Sequence, residues 1–314
     1  MDILVSINYM THNHEMYVCQ ALDSFLIQKT NFAWEILVHD DASEDSTADI
    51  IREYADRYPD LIKPVYQSEN QYAKGLKIEH INVQRAQGKY IAFCDGDDYW
   101  CDPYKLQKQV DHMEAHPECS MCFHKVKLTR GDSGKIKGYL GSYYENCLVP
   151  VEDMIGWVKF SQISSILYRR QCVEHPPYFY LQAPVNDVFL VLSLAIQGNI
   201  YYLNEAMSVY RTGISGSLSS RLAESRSRRI WFLGNIIDQL EEFNCYTDYQ
   251  YVHSIKLRQK RIEQLLLIAE GNVQAVIKPQ LRRYNHKLKI YTIARIYLNK
   301  YCPSLYAKLS RYKN

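Results

Sequence analysis

The order in which hydrophobic periods alternate over the first hundred residues restricts this chain to few architectures. Ile3-Leu4-Val5-Ser6-Ile7 is a short β-prone run, after which Val18, Ala21, Leu22, Phe25 and Leu26 recur at helical spacing. Trp34 to His39 reads as a second strand. Ser46, with Asp49 three residues on, has the pattern of a capping box for a helix whose apolar face is Ile51, Tyr54, Ala55 and Tyr58, and Pro59 ends it. Leu61 to Tyr66 supplies a third strand, Leu76 to Ala86 a helix, and Tyr90 to Cys94 a fourth strand. Such alternation predicts an α/β fold with a mostly parallel central sheet and helices on both faces. Ligands of such sheets bind beyond the carboxyl ends of the strands, where Thr11, Asp40 and Asp95 fall.

Farther on, Pro103 can start a helix that runs to His116-Pro117, Ser120 to Leu128 reads as a strand, and Gly131 to Gly141 as a loop or hairpin. Ser164 to Tyr168 is expected to be a strand, Asp187 to Ile196 a buried helix, and Ile200 to Leu203 a strand; beyond Leu222 only helices are expected. The division predicted is a domain over residues 1–218, in halves 1–115 and 116–218, and a helical extension over 219–314.

With 314 residues, 47% of them apolar, the chain can bury a sizeable core. No eighteen apolar residues run together and the first residues lack a secretory pattern, so a cytoplasmic location is expected. Nine cysteines, an odd number, fit free thiols in a reducing compartment. His116, Cys119, Cys122 and His124 have some zinc character, but the alternating faces of a strand would send them apart.

Charge is distributed unevenly. Of a net +2, the segment Gly271 to Asn314 contributes ten Lys and Arg and no acid, leaving −8 on the rest. That basic, Tyr-rich tail suits an anionic membrane surface, which would place the protein peripherally at the inner face of a membrane; it equally suits packing on the preceding domain or on a partner in a homodimer. Nucleic-acid binding is disfavoured because the rest of the chain is acidic.

The chemistry concentrates in Asp95-Gly96-Asp97-Asp98-Tyr99-Trp100, three carboxylates in four residues directly after a strand. Like charges so close are costly unless a cation, hydrogen-bond donors or water offset them. A hard divalent ion carrying a diphosphate would do so, since such ions pair protein carboxylates with substrate phosphates. A solvated acidic turn is the alternative. Gly-x-Gly-x-x-Gly, phosphate-loop and Gly-x-Ser-x-Gly patterns are absent, which disfavours dinucleotide enzymes, phosphate-loop NTPases and serine hydrolases. An ion at Asp97 would stabilise a leaving diphosphate, with Asp40 in the adjacent crevice placed to accept from a uracil-like base.

Taken in order, Val5-Ser6-Ile7 with Thr11-His12-Asn13, Glu35 to Thr47, Gly88-Lys89-Tyr90-Ile91-Ala92, the Asp95 to Trp100 run and Asp102-Pro103-Tyr104-Lys105-Leu106 resemble a family 2 glycosyltransferase of the GT-A fold, from about Ile3 to Ser217. The resemblance implies an inverting transfer of sugar from a nucleotide diphosphate sugar, UDP-linked, to a glycan or lipid-linked glycan acceptor in the synthesis of a bacterial surface polysaccharide such as a capsule. It makes residues 1–218 the catalytic domain, with the nucleotide-binding half first and the acceptor side second. By the same resemblance Thr11 and Asp40 hold the nucleoside, Asp95 contacts the ribose, and Asp97 binds Mn2+ or Mg2+. Asp187, after Asn186 where the family usually has Glu, stands in the place of the general base; a helix N-terminal acid is its other reading. Arg211, in Val209-Tyr210-Arg211-Thr212-Gly213-Ile214-Ser215, resembles the family's arginine that closes over the donor phosphates. Lys74 is a candidate for those phosphates too, and Asp98 a secondary site residue. Trp100 suits either stacking on an acceptor sugar or packing behind the strand. A nucleotidyltransferase would need a Gly-rich basic loop that Thr11 to Glu15 does not provide. A catalytically weak or inactive sugar-nucleotide-binding protein acting at a membrane surface is the alternative.

Overall fold

Strand β1 (Ile3–Thr11) is buried along its length from Val5 onward, so both its faces are covered: Val5, Ile7 and Tyr9 enter the apolar core, while Ser6 and Asn8 meet the buried polar partners Glu35 and Asn82. It lies near the middle of a sheet in a computed structural model, which describes residues 2–131, 134–141, 143–156, 160, 162–183, 186–214, 216–272, 275–276, 281, 294, 297–298 and 300–304. Helix α1 (Val18–Leu26) follows and buries Val18, Ala21, Leu22 and Phe25, the face its spacing predicts. Next come β2 (Ala33–Asp40), α2 (Thr47–Arg57), β3 (Ile62–Tyr66), α3 (Ile78–Arg85) and β4 (Tyr90–Asp95). Strands β3, β2, β1 and β4 lie side by side and parallel. Gly88 precedes β4 because a Cβ there would come within 2.5 Å of the Ser6 amide nitrogen.

One helix start differs from expectation. Ser46 stands at the cap of α2 but its hydroxyl accepts no capping bond. Asp45, one residue earlier, takes the Thr47 amide at 3.0 Å, while Asp49 turns outward to Arg52.

After the short β5 (Tyr99–Trp100) and helix α4 (Lys105–Ala115), β6 (Cys119–Arg130) forms a hairpin with β7 (Ile136–Leu140). Strand β8 (Cys147–Val149), helix α5 (Val151–Gly156), strand β9 (Leu167–Arg169) and helices α6 (Tyr178–Leu181) and α7 (Asn186–Ala195) lead into β10 (Asn199–Thr212). The sheet order is β3-β2-β1-β4-β9-β6-β10-β5, with β9 antiparallel between β4 and β6, and β6 and β10 parallel. Strand β10 outruns its expected four residues because register shifts around Asn204 and Glu205 absorb the polar interruption and let the strand resume.

Contacts divide the chain into two compact units, Met1–Leu181 with Val185–Ser215, and Gln182–Pro184 with Gly216–Asn314. In the second, α8 (Leu218–Glu224) precedes α9 (Arg226–Tyr246) and α10 (Val252–Ala269), with Ile236, Leu240, Phe243, Ile255 and Ile262 buried. Asp248 and Tyr249 turn the chain between α9 and α10 at positive φ. No helix among the described residues is long and apolar enough to cross a membrane. Of the tail's ten basic residues only Lys300 falls among the described ones.

Beneath β5 sits an unexpected cation. Lys105 is fully buried, its Nζ 4.0 Å from the Trp100 ring centroid and donating to Gln109 Oε1 at 2.7 Å. Burial pushes its pKa down to about 7. Between that value and the unfolded value the unfolded chain holds more protons, so the charge penalty is full below pH 7 and fades as pH rises. Lys105→Met should therefore stabilise the protein by about 1–3 kcal/mol at pH 6, and the gain should shrink by pH 9 in urea unfolding. A gain that does not depend on pH would mean that packing, not charge, decides it.

Candidate active site

Sheet register brings the expected residues to one edge. Thr11 lies opposite Asp40 across the β1/β2 pairing, and Met10 opposite Asp95 across β1/β4, so the three strands end together. The loops that follow are bound to each other. Asn13, at φ 56°, donates its amide to Ser43 Oγ at 2.9 Å and accepts from the Glu44 amide at 2.7 Å, and the His14 amide donates to Thr47 Oγ1 at 2.8 Å. These bonds hold the two loops together beyond the strand ends.

Asp40 is 2% exposed and accepts from the Ser43 hydroxyl and amide, so Ser43 orients the carboxylate expected to meet the base. Its neighbour has a task that sequence reasoning missed. Asp41 accepts from the Gln71 amide at 2.7 Å and the Tyr72 amide at 3.0 Å, tying the segment after β3 to the end of β2. Inside that segment Gly75, at φ 80°, turns Lys74 to the surface, where it pairs with Glu69. Lys74, the candidate for the donor phosphates, is paired with Glu69 at the surface, while Lys77 acts electrostatically on Asp187.

The three acids of the Asp95 to Asp98 turn are in different surroundings. Asp95, half-buried, receives Gln162 Nε2 at 3.4 Å; burial raises its pKa, and the charges of Asp187, Asp97 and Glu79 add to that. Asp98 is fully buried, accepting the Arg211 amide at 3.2 Å on Oδ1 while Oδ2 has no partner among the described residues. Burial, followed by the charges of Asp97 and Asp95, raises its pKa too, so Asp98 holds the end of β10 rather than facing a ligand. Asp97 is half-buried, and its carboxylate makes no hydrogen bond or ion pair among the described residues. Between them Gly96 is required by crowding: a Cβ there would come within 2.1 Å of His14 Nδ1 and 2.8 Å of the Met10 carbonyl. His14 is thus packed over the turn, with Nδ1 3.1 Å from Thr11 Oγ1.

One further expectation changes, and Arg211 is found beside the acidic turn. Trp100 is 1% exposed, its Nε1 donating to the Ser164 carbonyl at 3.2 Å and its ring meeting Phe25 edge to face, so it packs in the core and cannot stack on a sugar. Arg211 is 5% exposed and lies between the rings of Tyr17 and Tyr99, 4.9 and 4.6 Å from their centroids. It donates to the Asp97 carbonyl and to Gln20 Oε1, so it ties the end of β10 to the acidic turn. Ser215 of the same loop lies outside the described residues.

Asp187 stands in the first turn of α7 and joins the group, since its charge is felt by Asp95 and by Glu79. Burial pushes its pKa up to about 6, against which Lys77 acts. The side chain of Asn186 lies outside the described residues. Glu152 and Asp153, adjacent acids, open α5, and Asp153 accepts from the Tyr143 hydroxyl at 2.8 Å.

Comparisons with known proteins agree with this architecture. The profile of glycosyl transferase family 2 matches residues 6–156. An uncharacterized protein of Mycobacterium tuberculosis is 38% identical over 231 residues, covering 73% of this chain and 63% of that protein, so the chain spans less than two thirds of that relative's length. WfgD of Escherichia coli, a UDP-Glc:alpha-D-GlcNAc-diphosphoundecaprenol beta-1,3-glucosyltransferase, is 36% identical over 240 residues, 76% of this chain and 88% of that enzyme. Among solved structures, S. aureus TarS 1-349 in complex with UDP-GlcNAc matches with a TM-score of 0.60 at 16% identity, over 95% of this chain and 91% of that chain. The mannosyltransferase PcManGT from Pyrobaculum calidifontis, solved with GDP-Man and Mn2+, matches with a TM-score of 0.57 at 15% identity, over 99% of this chain and 84% of that chain. At these identities the structural likeness shows the fold alone.

Proposed function

Because the chain belongs to glycosyl transferase family 2 and has the GT-A fold, we propose that it transfers a sugar, with inversion, from a UDP-linked donor to a glycan or lipid-linked glycan acceptor in building a surface polysaccharide. The observation that carries this is that Thr11, Asp40 and Asp95 end adjacent parallel strands at one edge of the sheet, with Asp97 in the turn that follows and the charge of Asp187 felt by Asp95. In the reaction, Asp187 takes the proton of the acceptor hydroxyl as its oxygen attacks the anomeric carbon. The bond from that carbon to the diphosphate oxygen breaks on the opposite face, and the nucleoside diphosphate leaves with the electron pair.

The site suits a divalent ion on the evidence of its own donors. Among the described residues the Asp97 carboxylate makes no hydrogen bond or ion pair, Asp95 accepts from Gln162 and Asp98 is buried against the Arg211 amide, which leaves Asp97 as the protein ligand, with the donor's phosphates to supply others. Mn2+ or Mg2+ bound there would supply positive charge against the leaving diphosphate. Support for UDP and a lipid-linked acceptor comes from WfgD by its name, and support for Mn2+ from PcManGT, whose donor is GDP-Man.

The test is calorimetric binding of UDP-glucose, UDP-GlcNAc, UDP-galactose and GDP-mannose with Mn2+, Mg2+ or EDTA, with release of nucleotide followed in the presence of GlcNAc-diphospholipid. At least one UDP-sugar is expected to bind only with metal and to release UDP when acceptor is added. Failure of all four donors to bind with either metal would reject the proposal. Retention on anionic vesicles, lost on truncation at Gly271, would assign the basic tail to a membrane surface.

A further inference from the structure

Asp95 has a partner that the reaction derived above does not use. Gln162 donates its Nε2 to Asp95 Oδ2 at 3.4 Å, and no other donor among the described residues reaches that carboxylate. The side-chain amide can point only one way. Its Oε1 accepts from the Ser164 amide at 2.6 Å and from the Ser164 hydroxyl, and a backbone N–H can only donate, so Nε2 is the end that faces Asp95. The segment that carries Gln162 is fixed in turn. Gln162 opens the short helical turn Ile163–Ser165, which is buried, and the Ser165 hydroxyl donates back to the Gln162 carbonyl at 2.5 Å. The Ser164 carbonyl accepts from Trp100 Nε1 at 3.2 Å and the Ser165 carbonyl from Gln109 Nε2 at 2.9 Å, while Lys105 holds the other end of the Gln109 amide. Trp100 and Gln109 thus brace this turn from the core. The neighbouring buried acids have donors of their own: Glu79, 1% exposed, accepts from the Tyr180 hydroxyl at 2.7 Å, and Asp98 from the Arg211 amide at 3.2 Å.

We propose that Gln162 is the positioning residue that aims Asp95 at the ribose of the donor, and that it thereby sets the preference for ribose over deoxyribose. The proposal rests on the reading of Asp95 as the ribose contact. A carboxylate accepts well from a hydroxyl only when the O–H points along a lone pair. A carboxyl group free to rotate would have to give up that freedom when the nucleotide arrives. The bond from Gln162 to Oδ2 removes the freedom beforehand and leaves Oδ1 to receive a hydroxyl. It also keeps Oδ2 engaged, so that the divalent ion is left to Asp97. Bonds from a hydroxyl to an ionised carboxylate are among the stronger ones, so losing the aim of Asp95 is read as lost selectivity rather than as a general weakening. Sequence alone does not mark Gln162, because sixty-seven residues separate it from Asp95 and only the packing of its turn on Trp100 and Gln109 joins them.

Two measurements test it. Calorimetry compares the binding of UDP, 2′-deoxy-UDP and 3′-deoxy-UDP, with Mn2+, to wild type, Gln162→Ala, Gln162→Glu and Asp95→Ala. Wild type should bind UDP about ten- to a hundredfold more tightly than one of the deoxy nucleotides. In both Gln162 variants that ratio should fall to about threefold, and in Gln162→Ala the affinity for the deoxy nucleotide and the gain on adding Mn2+ should not change. Glutamate keeps the acceptor for the Ser164 amide but not the donor to Asp95, so a role in capping the turn alone predicts a wild-type ratio in Gln162→Glu. That result, or equal weakening of all three nucleotides in Gln162→Ala, would overturn the proposal. A ratio lost in Asp95→Ala but kept in the Gln162 variants rejects Gln162 and leaves Asp95 at the ribose. A ratio kept in Asp95→Ala rejects the ribose contact on which the proposal rests. The second measurement needs no nucleotide: in urea unfolding at pH 7.5 the effects of Gln162→Ala and Asp95→Ala should not add. Additive effects would overturn the hold of Gln162 on Asp95, whatever donor the site takes.

Discussion

Asp187→Asn is expected to lower transfer by about a thousandfold or more while making the protein more stable at neutral pH. Both effects come from one cause. A carboxyl group at the start of α7, half-buried, ionises reluctantly, because burial pushes its pKa up to about 6. The folded chain therefore holds this proton more tightly than the unfolded chain does, and stability is lost as pH rises from about 4 through about 6, then stays lower by a constant amount. A shift of about two units corresponds to at most about 3 kcal/mol, and the partial exposure of Asp187 reduces it, so a gain of about 1–2 kcal/mol for asparagine at pH 7.5 is the expected size. Below pH 4 the gain should vanish. Urea unfolding at pH 7.5 and 4 measures this arm, and UDP release measures the other. If Asp187 served only the helix dipole, asparagine would weaken the fold at pH 7.5 and transfer would continue.

That pattern separates what the sequence could show from what it could not. Strands β1 to β4 and their helices were legible because a two-residue or helical period and a buried face belong to local sequence. Thr11, Asp40 and Asp95 were legible as site candidates because parallel strands of similar length end together. Roles that depend on distant partners were not. Arg211 has the type and place of a phosphate ligand, but it is fixed by the Asp97 carbonyl and Gln20, over a hundred residues away. Trp100 follows a strand like many exposed aromatics, but the groove that takes it is made by Phe25 and the Ser164 carbonyl. Lys74 and Lys77 are three residues apart and alike in sequence. Asp41 fixes the loop after β3, and Gly75, at positive φ, turns the chain between the two lysines. Glu79 could have been suspected: an acid between Ile78 and Ile81, in a helix packed on the sheet, needs a buried partner.

The second large effect concerns the turn that holds three acids. Asp97→Asn should remove the metal dependence of donor binding, whereas Asp98→Asn should preserve it. Asparagine keeps the volume and one oxygen of Asp97 but loses the charge that a hard cation needs, so kcat/KM should fall by about 100- to 1000-fold. Asp98 is buried, its pKa is raised, and its Oδ1 already accepts the Arg211 amide, so an amide in its place keeps that bond and removes a cost of burial. Titrating UDP-glucose into each variant with Mn2+ and with EDTA gives the comparison directly. Wild type and Asp98→Asn should bind more tightly with Mn2+, while Asp97→Asn should bind with the same weak affinity in both. An Asp97→Asn variant that still responds to Mn2+ would move the ligand to Asp95. Gln162 would then have to release Asp95, and Gln162→Ala should in that case tighten metal-dependent binding rather than leave it unchanged.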